Sequence, residues 1–387
     1  MTIYLDNAST TPIHPEALEA FIRATTDTFG DPSRLYGEAR RARIALDAAR
    51  DTTARTIGAR AEEIVFTGGG TESCNLAVSA GARAAAAARK PKRIVVSAVE
   101  HTAVLHAARA LEPEFEVVVA PVDGSGRLDL EGWRAACEGG TGLASIQLAN
   151  PEVGTIQPVA EAAEIARGAG AVVHTDACAA LGRVGVDVRS LGVDLVSGSS
   201  HKAYGPKGAG LLWVKRGVRV RPSMVGDDRE RGRRAGIENL PAAAGFAAAL
   251  LARATEIPAE EPRLRAMAAR LRDEIRRRVP GVVVHGRADG VPGLVAFSVL
   301  YVEGEALLLG LDRKGIAVHS GSSCTSSVQE PSHVLAAMGA ITQGSLRVSM
   351  GRDTTDGDID AFVDALPDVV ARARELAGSS ALVESER

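Results

Sequence analysis

The sequence predicts an α/β protein with one large domain and a smaller α+β domain. Between about residues 60 and 215, short apolar runs alternate with alanine-rich helical stretches. This order is typical of a mostly parallel sheet with helices on both faces. Beyond residue 258 short strands and helices follow in a less regular order. We therefore expect a large domain over residues 13–257, and a small domain formed by residues 1–12 together with residues 258–387.

Seven apolar runs predict the strands of the large sheet, because each is short, aliphatic and bounded by polar or turn residues. They are Ile64–Thr67, Ile94–Ser97, Val117–Ala120, Leu143–Leu148, Ala171–His174, Asp194–Ser197 and Leu211–Val214. Helices are predicted between several of them, over Asn75–Ala88, Thr102–Leu111 and Val159–Ala169.

The small domain is predicted to begin after the Pro258–Pro262 segment, with an amphipathic stretch over Arg263–Val279. Its strands are expected over Val282–His285, Leu294–Val299, Ile316–Val318 and Ser345–Ser349. Its helices are expected over Glu303–Lys314, Pro331–Met338 and Asp356–Leu376. We expect Pro367 to kink or split the last helix, because proline removes a backbone donor.

Composition narrows the class of protein. A formal net charge of −3 argues against a protein whose partner is a nucleic acid. No apolar run approaches the ~18 residues of a membrane span, and the first residues lack the order of a signal peptide, so we expect a cytoplasmic protein without a membrane partner. The four cysteines show neither zinc-ligand spacing nor a disulfide framework: Cys74, Cys137, Cys178 and Cys324.

Two polar residues stand at the ends of neighbouring predicted strands. Lys202 follows the run that ends at Ser197, in the sequence Ser199-Ser200-His201-Lys202, and Asp176 follows the run that ends at His174. Ligands bind at the carboxyl ends of parallel strands. A lysine there can form a Schiff base with an aldehyde cofactor, and an aspartate can hold the ring nitrogen of pyridoxal phosphate. A surface lysine and a helix-capping aspartate are the alternative interpretation.

Two further segments fit the same site. Gly68–Ser73 follows the first strand and opens a helix, so its glycines and free N–H groups suit a phosphate. The segment contains Gly70 and Thr71, and it is neither a Walker motif nor G-x-G-x-x-G. His101 follows the next strand, where an imidazole could stack on a flat ring or move a proton.

Cys324 lies in a run of small and polar residues, Ser320–Ser327, which predicts an exposed loop. A thiolate in such a loop can attack a ligand and then meet a second protein. The other three cysteines fit the common case of a buried, inert thiol.

Together these residues resemble the cysteine desulfurases, within the class V aminotransferase group of fold-type I pyridoxal phosphate enzymes. The resemblance runs nearly end to end and includes the opening Tyr4–Pro12. It implies that Lys202 carries the pyridoxal 5'-phosphate, that Ser199 and His201 belong to the lysine motif and help bind the cofactor, and that Cys324 is the catalytic cysteine. It also implies that Arg347, in Leu346–Arg352, holds the substrate carboxylate, for which a bidentate guanidinium is well suited.

The sequence departs from the family pattern at several polar positions. Pro151 stands where a second asparagine usually contacts the cofactor's phenolic oxygen, and Ala179 where a glutamine is common. Ile237 replaces a threonine that reaches the phosphate from the partner subunit, and Asp31–Ser33 and Tyr36 also differ. Lost polar contacts of ~0.5–1.5 kcal/mol each are expected to weaken cofactor binding.

The resemblance implies a homodimer that converts L-cysteine to L-alanine and holds the sulfur as a persulfide on Cys324 for an acceptor protein. Lys202 would act as the general base. Iron–sulfur assembly, tRNA or DNA thiolation and a thio-natural product pathway remain open as destinations of the sulfur. The alternatives are a related lyase for selenocysteine or another β-substituted amino acid, and a scaffold protein of the same fold. The basic run Arg229–Arg234 is interpreted as a solvated or dimer-interface loop.

Overall fold

The computed structural model describes residues 2–222, 224–320 and 331–378. The strands in these ranges are β1 (Ile3–Tyr4), β2 (Ile64–Thr67), β3 (Arg93–Ser97), β4 (Glu116–Ala120), β5 (Leu143–Ser145), β6 (Val172–Asp176), β7 (Leu195–Ser199), β8 (Gly210–Val214), β9 (Val282–His285), β10 (Leu294–Val299), β11 (Ile316–Ala317) and β12 (Ser345–Ser349). The α-helices are α1 (Pro15–Asp27), α2 (Gly37–Thr56), α3 (Gly70–Asn75), α4 (Gly81–Ala87), α5 (Thr102–Arg109), α6 (Leu130–Cys137), α7 (Val159–Gly168), α8 (Leu240–Arg278), α9 (Gly304–Asp312), α10 (His333–Ala337) and α11 (Asp356–Leu376).

The large sheet contains the seven predicted strands in the order β2-β8-β7-β6-β5-β3-β4. β8 is antiparallel to both of its neighbours, and the other pairs are parallel. β2, β5, β7 and β8 are buried along their whole length, which explains why they are continuous apolar runs in the sequence. The parallel strands bring the residues after β3, β5, β6 and β7 to one edge of the sheet.

A second, antiparallel sheet has the order β12-β10-β9, and β1 pairs with β11 in a short parallel sheet. The N-terminal segment also crosses to β12, where Asp6 and Ser349 form a bridge. The first residues of the chain therefore pack with elements from its C-terminal part. The domain boundaries at residues 12/13 and 257/258 stay predictions.

Prolines interrupt neither long helix. α8 runs through Pro258 and Pro262, and α11 runs through Pro367, so a split of the last helix is wrong, and a kink at Pro367 stays a prediction. Both prolines of α8 are at least partly exposed, so water can reach the carbonyl groups that lose a backbone partner. The N-terminal half of α8 packs in the core of the large sheet, and its C-terminal half packs in the core of the small sheet.

By length and composition, α8 could also cross a membrane, which the sequence analysis did not anticipate. However, 56% of its most apolar window is buried inside the protein. That burial is what the core helix of a soluble protein shows.

Candidate active site

A cavity of about 210 Å³ lies at the carboxyl edge of the large sheet. Seven of the predicted site residues line it: Gly70, Thr71, His101, Asp176, Ser199, His201 and Lys202. They come from four separate segments, each of which follows or ends a strand. The sheet topology thus brings these seven residues, which are separate in the sequence, to one cavity.

Asp176 is the last residue of β6 and is buried. Its Oδ1 accepts a hydrogen bond from the Cys178 amide at 2.8 Å. Burial alone would raise the pKa of Asp176, but hydrogen bonds from the Cys178 side chain and amide and the nearby His101 and His174 lower it below its ordinary value. The carboxyl group is therefore ionised at neutral pH, as a partner for a protonated ring nitrogen must be.

Lys202 lies just beyond β7 and is half-buried. Burial lowers the pKa of its amine, although Cys178 and Asp176 oppose the shift, and Arg347 and Arg183 lower it further. A lowered pKa makes the amine more available as a nucleophile or base. Beside it, the buried Ser199 hydroxyl lines the cavity without a hydrogen-bond partner among the described residues.

The glycine-rich turn after β2 brings a helix start to the cavity. α3 begins at Gly70, and the helical run continues through the π-helical segment Leu76–Ala80 into α4. A Cβ atom at Gly70 would lie 2.6 Å from the Cys178 sulfur, so only glycine allows this close approach. A second, open cavity of about 520 Å³ lies against Gly68–Glu72 and His201. Free N–H groups at the helix start make this end suitable for a phosphate.

His101 caps α5 and lines the cavity as well. Its Nδ1 accepts the Ala103 amide at 3.0 Å, so the neutral ring carries its proton on Nε2. Burial, and then the nearby Lys202, lower the pKa of His101 despite Asp176. The ring is thus neutral near physiological pH and can stack on a flat group.

Glu100, the preceding residue, contrasts with Asp176. It is fully buried, and burial raises its pKa well above 4.5, although the Gln147 amide donates to Oε1 at 2.7 Å. Its Oε2 has no hydrogen-bond partner among the described residues. The surroundings of the two buried carboxyl groups therefore act in opposite directions: they lower the pKa of Asp176 and raise the pKa of Glu100.

Another wall of the cavity is apolar. Ala149, Pro151 and Ala179 line it, so two of the positions at which the sequence departs from the family pattern do face the cavity. None of these three side chains can donate a hydrogen bond.

Arg347 lies in β12, next to this wall but outside the cavity lining. Its Nη1 donates to the Pro151 carbonyl at 2.9 Å, and its Nη2 donates at 2.6 Å both to Asp6 Oδ1 and to Ser9 Oγ. The Nε has no partner among the described residues. A carboxylate that binds here must therefore share the guanidinium with Asp6, a partner that the sequence analysis did not identify.

Cys324 lies outside the described residues, but both flanks of its segment are described. On one side, His319 and Arg347 exchange backbone hydrogen bonds at 3.3 and 2.7 Å. On the other side, His333 Nε2 contacts the Glu100 carbonyl at 2.9 Å. The described ends of the segment thus lie beside Arg347 and beside Glu100, the residue that precedes His101.

Cys74 and Cys178 also line the cavity, whereas the sequence analysis had treated them as inert core thiols. Both are buried, as expected, but both thiols lie close to the Asp176 carboxylate. Cys178 could have been noticed from its position two residues after Asp176. Cys74 follows β2 and lies far from Asp176 in the sequence. It comes near Asp176 only through the strand order β2-β8-β7-β6 of the folded sheet.

Comparisons with known proteins agree along almost the whole chain. The family model described as aminotransferase class-V matches residues 3–362. A cysteine desulfurase from Cereibacter sphaeroides is 42% identical over 384 residues, which cover 97% of this chain and 97% of that protein. The cysteine desulfurase IscS of Dictyoglomus turgidum is 39% identical over 379 residues, covering 97% and 96%. A solved NifS-like protein superposes with a TM-score of 0.89 at 30% identity, covering 96% of this chain and all of that one.

Proposed function

This chain belongs to the aminotransferase class-V family and is a cysteine desulfurase that depends on pyridoxal 5'-phosphate, and we propose that it passes the sulfur of L-cysteine through a persulfide on Cys324. The predicted family, fold class, activity and cofactor are confirmed. The lyase and scaffold alternatives are not favoured. The roles of individual residues in this activity are proposals.

The residues of the cavity fit the cofactor. When bound, pyridoxal phosphate supplies an aldehyde that links to an amine and a ring that accepts electrons. Lys202 offers the amine, and Asp176 offers the anion for the ring nitrogen. The unpartnered Ser199 hydroxyl and the turn at Gly70 and Thr71 offer donors for the phosphate. The joint presence of Lys202 and Asp176 in one cavity is the observation that carries the proposal.

Two side chains have proposed roles toward the substrate, and a third has a proposed role toward the cofactor. Arg347 orients the carboxylate of L-cysteine, and the guanidinium is already fixed by Asp6, Ser9 and the Pro151 carbonyl. Lys202, with its lowered pKa, removes the proton from the substrate Cα. His101, neutral and fixed by its contact with the Ala103 amide, would stack on the cofactor ring.

Sulfur transfer is assigned to Cys324. Its thiolate attacks the substrate sulfur, an S–S bond forms, and the substrate's Cβ–S bond breaks. The electron pair of that bond stays with the carbon, which takes up a proton and leaves as alanine. The segment that carries Cys324 begins and ends beside the cavity, at His319 and His333.

We further propose a homodimer that docks through an apolar area around Arg229. The side chain of Arg229 pairs with Asp31 at 2.9 Å and with Glu238 at 2.8 Å, and thereby joins two loops. Large apolar side chains are exposed on these loops: Leu35 at 89%, Val225 at 89% and Ile237 at 59%. Such exposed groups mark an interaction surface. The same ion pairs compensate part of the basic run Arg229–Arg234, which argues for this role over nucleic-acid binding.

A cytoplasmic location and an acceptor protein for the sulfur complete the proposal. The cysteines of the described ranges, Cys74, Cys137 and Cys178, are free thiols, as is usual in a reducing compartment. The acceptor would meet the persulfide on the segment of Cys324.

The experiment is a turnover assay with the cofactor-loaded protein and L-cysteine, measuring alanine and protein-bound sulfur. Cys324→Ser is expected to bind cofactor and cysteine but to carry no persulfide, because a hydroxyl is a far weaker nucleophile toward sulfur. Cys137→Ser, which removes a buried thiol away from the cavity, is the matched control and is expected to retain both activities. Normal sulfide release by Cys324→Ser would contradict the persulfide and indicate direct β-elimination.

A further inference from the structure

Three side chains with metal-binding atoms meet at the floor of the cavity. They are Cys74 in α3, Asp176 at the end of β6 and Cys178 two residues later. The two sulfur atoms and one carboxylate oxygen all lie within 4.8 Å of one another. The three residues are buried, with exposed fractions of 1%, 5% and 8%. The Cys178 side chain hydrogen-bonds Asp176, but the role of Asp176 toward a cofactor does not explain the second thiol, that of Cys74.

Two thiolates and a carboxylate are a ligand set that suits zinc. Zn²⁺ binds sulfur at ~2.3 Å and carboxylate oxygen at ~2.0–2.2 Å, with tetrahedral geometry. Ligand atoms on such a tetrahedron lie roughly 3.5–3.8 Å apart. The three ligand atoms lie within 4.8 Å of one another, so side-chain rotation has to bring them about 1 Å closer for all three to bind one ion. Soft thiolate ligands also select zinc-like ions over Mg²⁺ and Ca²⁺.

The surroundings supply an entry path and an oriented ligand. All three residues line the cavity of about 210 Å³, so an ion can enter through it and keep a fourth position open toward it. The Cys178 amide, 2.8 Å from Asp176 Oδ1, fixes the orientation of the carboxylate. Gly70 leaves the space that the Cys178 sulfur occupies.

We propose that the cofactor-free chain binds one Zn²⁺-class ion through Cys74, Asp176 and Cys178, and that this ion and the cofactor exclude each other. Exclusion follows because the ion and the cofactor would occupy the same cavity of about 210 Å³ and compete there for the carboxylate of Asp176. Binding forms two metal–sulfur bonds and one metal–oxygen bond and releases the two thiol protons to solvent, with no change of oxidation state. The metal site rests on geometry alone, and only the competition rests on the proposed function.

The site is tested on the full chain after the cofactor has been removed, with Cys324→Ser as the background so that the proposed catalytic thiol contributes no ligand. Titration with Cd²⁺, followed by thiolate-to-metal charge-transfer absorption, is expected to end at one ion per chain. Cys74→Ser and Cys178→Ser should each weaken binding at least about 100-fold, more than the loss of an outer-shell contact. Cys137→Ser is the matched control, because its thiol is buried elsewhere, and should bind as the background does.

Zinc X-ray absorption on the background protein reports the ligand atoms around the bound zinc. It needs no further variant, so its result does not depend on whether Cys74→Ser and Cys178→Ser fold. Two sulfur ligands per zinc support the site, and a site without sulfur overturns it. Equal Cd²⁺ affinity in Cys74→Ser and the background also overturns it.

Competition is measured by adding pyridoxal phosphate to the Cd²⁺-loaded protein. Loss of the charge-transfer band as the cofactor binds supports exclusion, and retention of both ligands overturns it. If the chain binds metal but the loaded enzyme does not turn over cysteine, the metal site stands and the proposed function fails.

Discussion

Two walls of the same cavity differ in chemistry. One wall carries Asp176, Lys202, Ser199 and His101, which follow or end the parallel strands β3, β6 and β7. The other wall carries Ala149, Pro151 and Ala179, none of which has a side-chain donor. The polar wall is fixed by the sheet, because parallel strands deliver their ends to one edge. The apolar wall comes from loops, where substitution disturbs little backbone structure.

The difference suggests that the two walls have different functions. On the polar wall Asp176, Lys202 and His101 have shifted pKa values, and under the proposed function these three groups carry the chemistry. At two positions of the apolar wall, Pro151 and Ala179, the family resemblance implies polar contacts to the cofactor. We expect changes in the polar wall to abolish turnover and changes in the apolar wall to alter only how long the cofactor stays bound.

The largest expected effect is that of Lys202→Ala. Turnover should fall by about 10²–10⁴-fold or more, because the variant lacks both the covalent attachment and the general base. Borohydride treatment should no longer retain cofactor on the protein. Lys215→Ala, just after β8 and paired with Asp194 at 3.4 Å, is the control and should behave as wild type. Retention of reduced cofactor by Lys202→Ala would place the attachment elsewhere.

A smaller effect is expected when donors are restored. Ala179→Gln together with Ile237→Thr should slow the loss of pyridoxal phosphate on dialysis, by roughly tenfold for each ~1.4 kcal/mol regained. The Ile237 contact is expected across the homodimer, and its side chain is 59% exposed in the single chain. The measurement is a dialysis time course of cofactor absorbance in both proteins. Equal retention would mean that other residues already fill these roles, and faster loss would mean that the pocket is adapted to apolar side chains.

The smallest effect concerns Glu100, the buried acid that precedes His101. Its pKa in the folded chain is raised well above 4.5 by burial, so its contribution to stability is complete below that pH and is lost as the pH rises toward the folded pKa. Glu100→Gln cannot ionise. Its stability relative to wild type should therefore increase above pH 4.5, by at most ~1.4 kcal/mol per pH unit. Urea unfolding of both proteins across pH checks this, and a constant difference would mean that Glu100 is ionised in the folded state.

The polar wall could be predicted from sequence because its signals are local. An apolar run followed by Asp176 or by Ser199–Lys202 indicates both the strand and the residue at its end. The partners of Arg347 could not be predicted in this way, since Asp6 lies 341 positions earlier and meets it only through the packing of the N-terminal segment on β12. The proximity of Cys74 and Cys178 depends likewise on strand order.

The course of the long helices was also hard to predict from the sequence. The prolines of α8 and α11 suggest breaks, yet each helix continues, because the buried side chains on either side of the prolines hold it in the core. Tertiary packing outweighs the local cost of a missing hydrogen bond there. The local sequence pattern therefore predicted the strand ends that carry the site residues better than it predicted the long helices that pack around the sheets.

The most direct test compares the turnover numbers of Asp176→Asn and Glu100→Gln, each saturated with cofactor and L-cysteine. Both replace a buried carboxyl group by an amide, and the side-chain oxygen that remains in Asp176→Asn can still accept the Cys178 amide. If the ionised group of the polar wall drives the chemistry, Asp176→Asn should lose about 100-fold or more, and Glu100→Gln should stay within about twofold of wild type. Similar losses in both variants, or no loss in Asp176→Asn, would contradict the account.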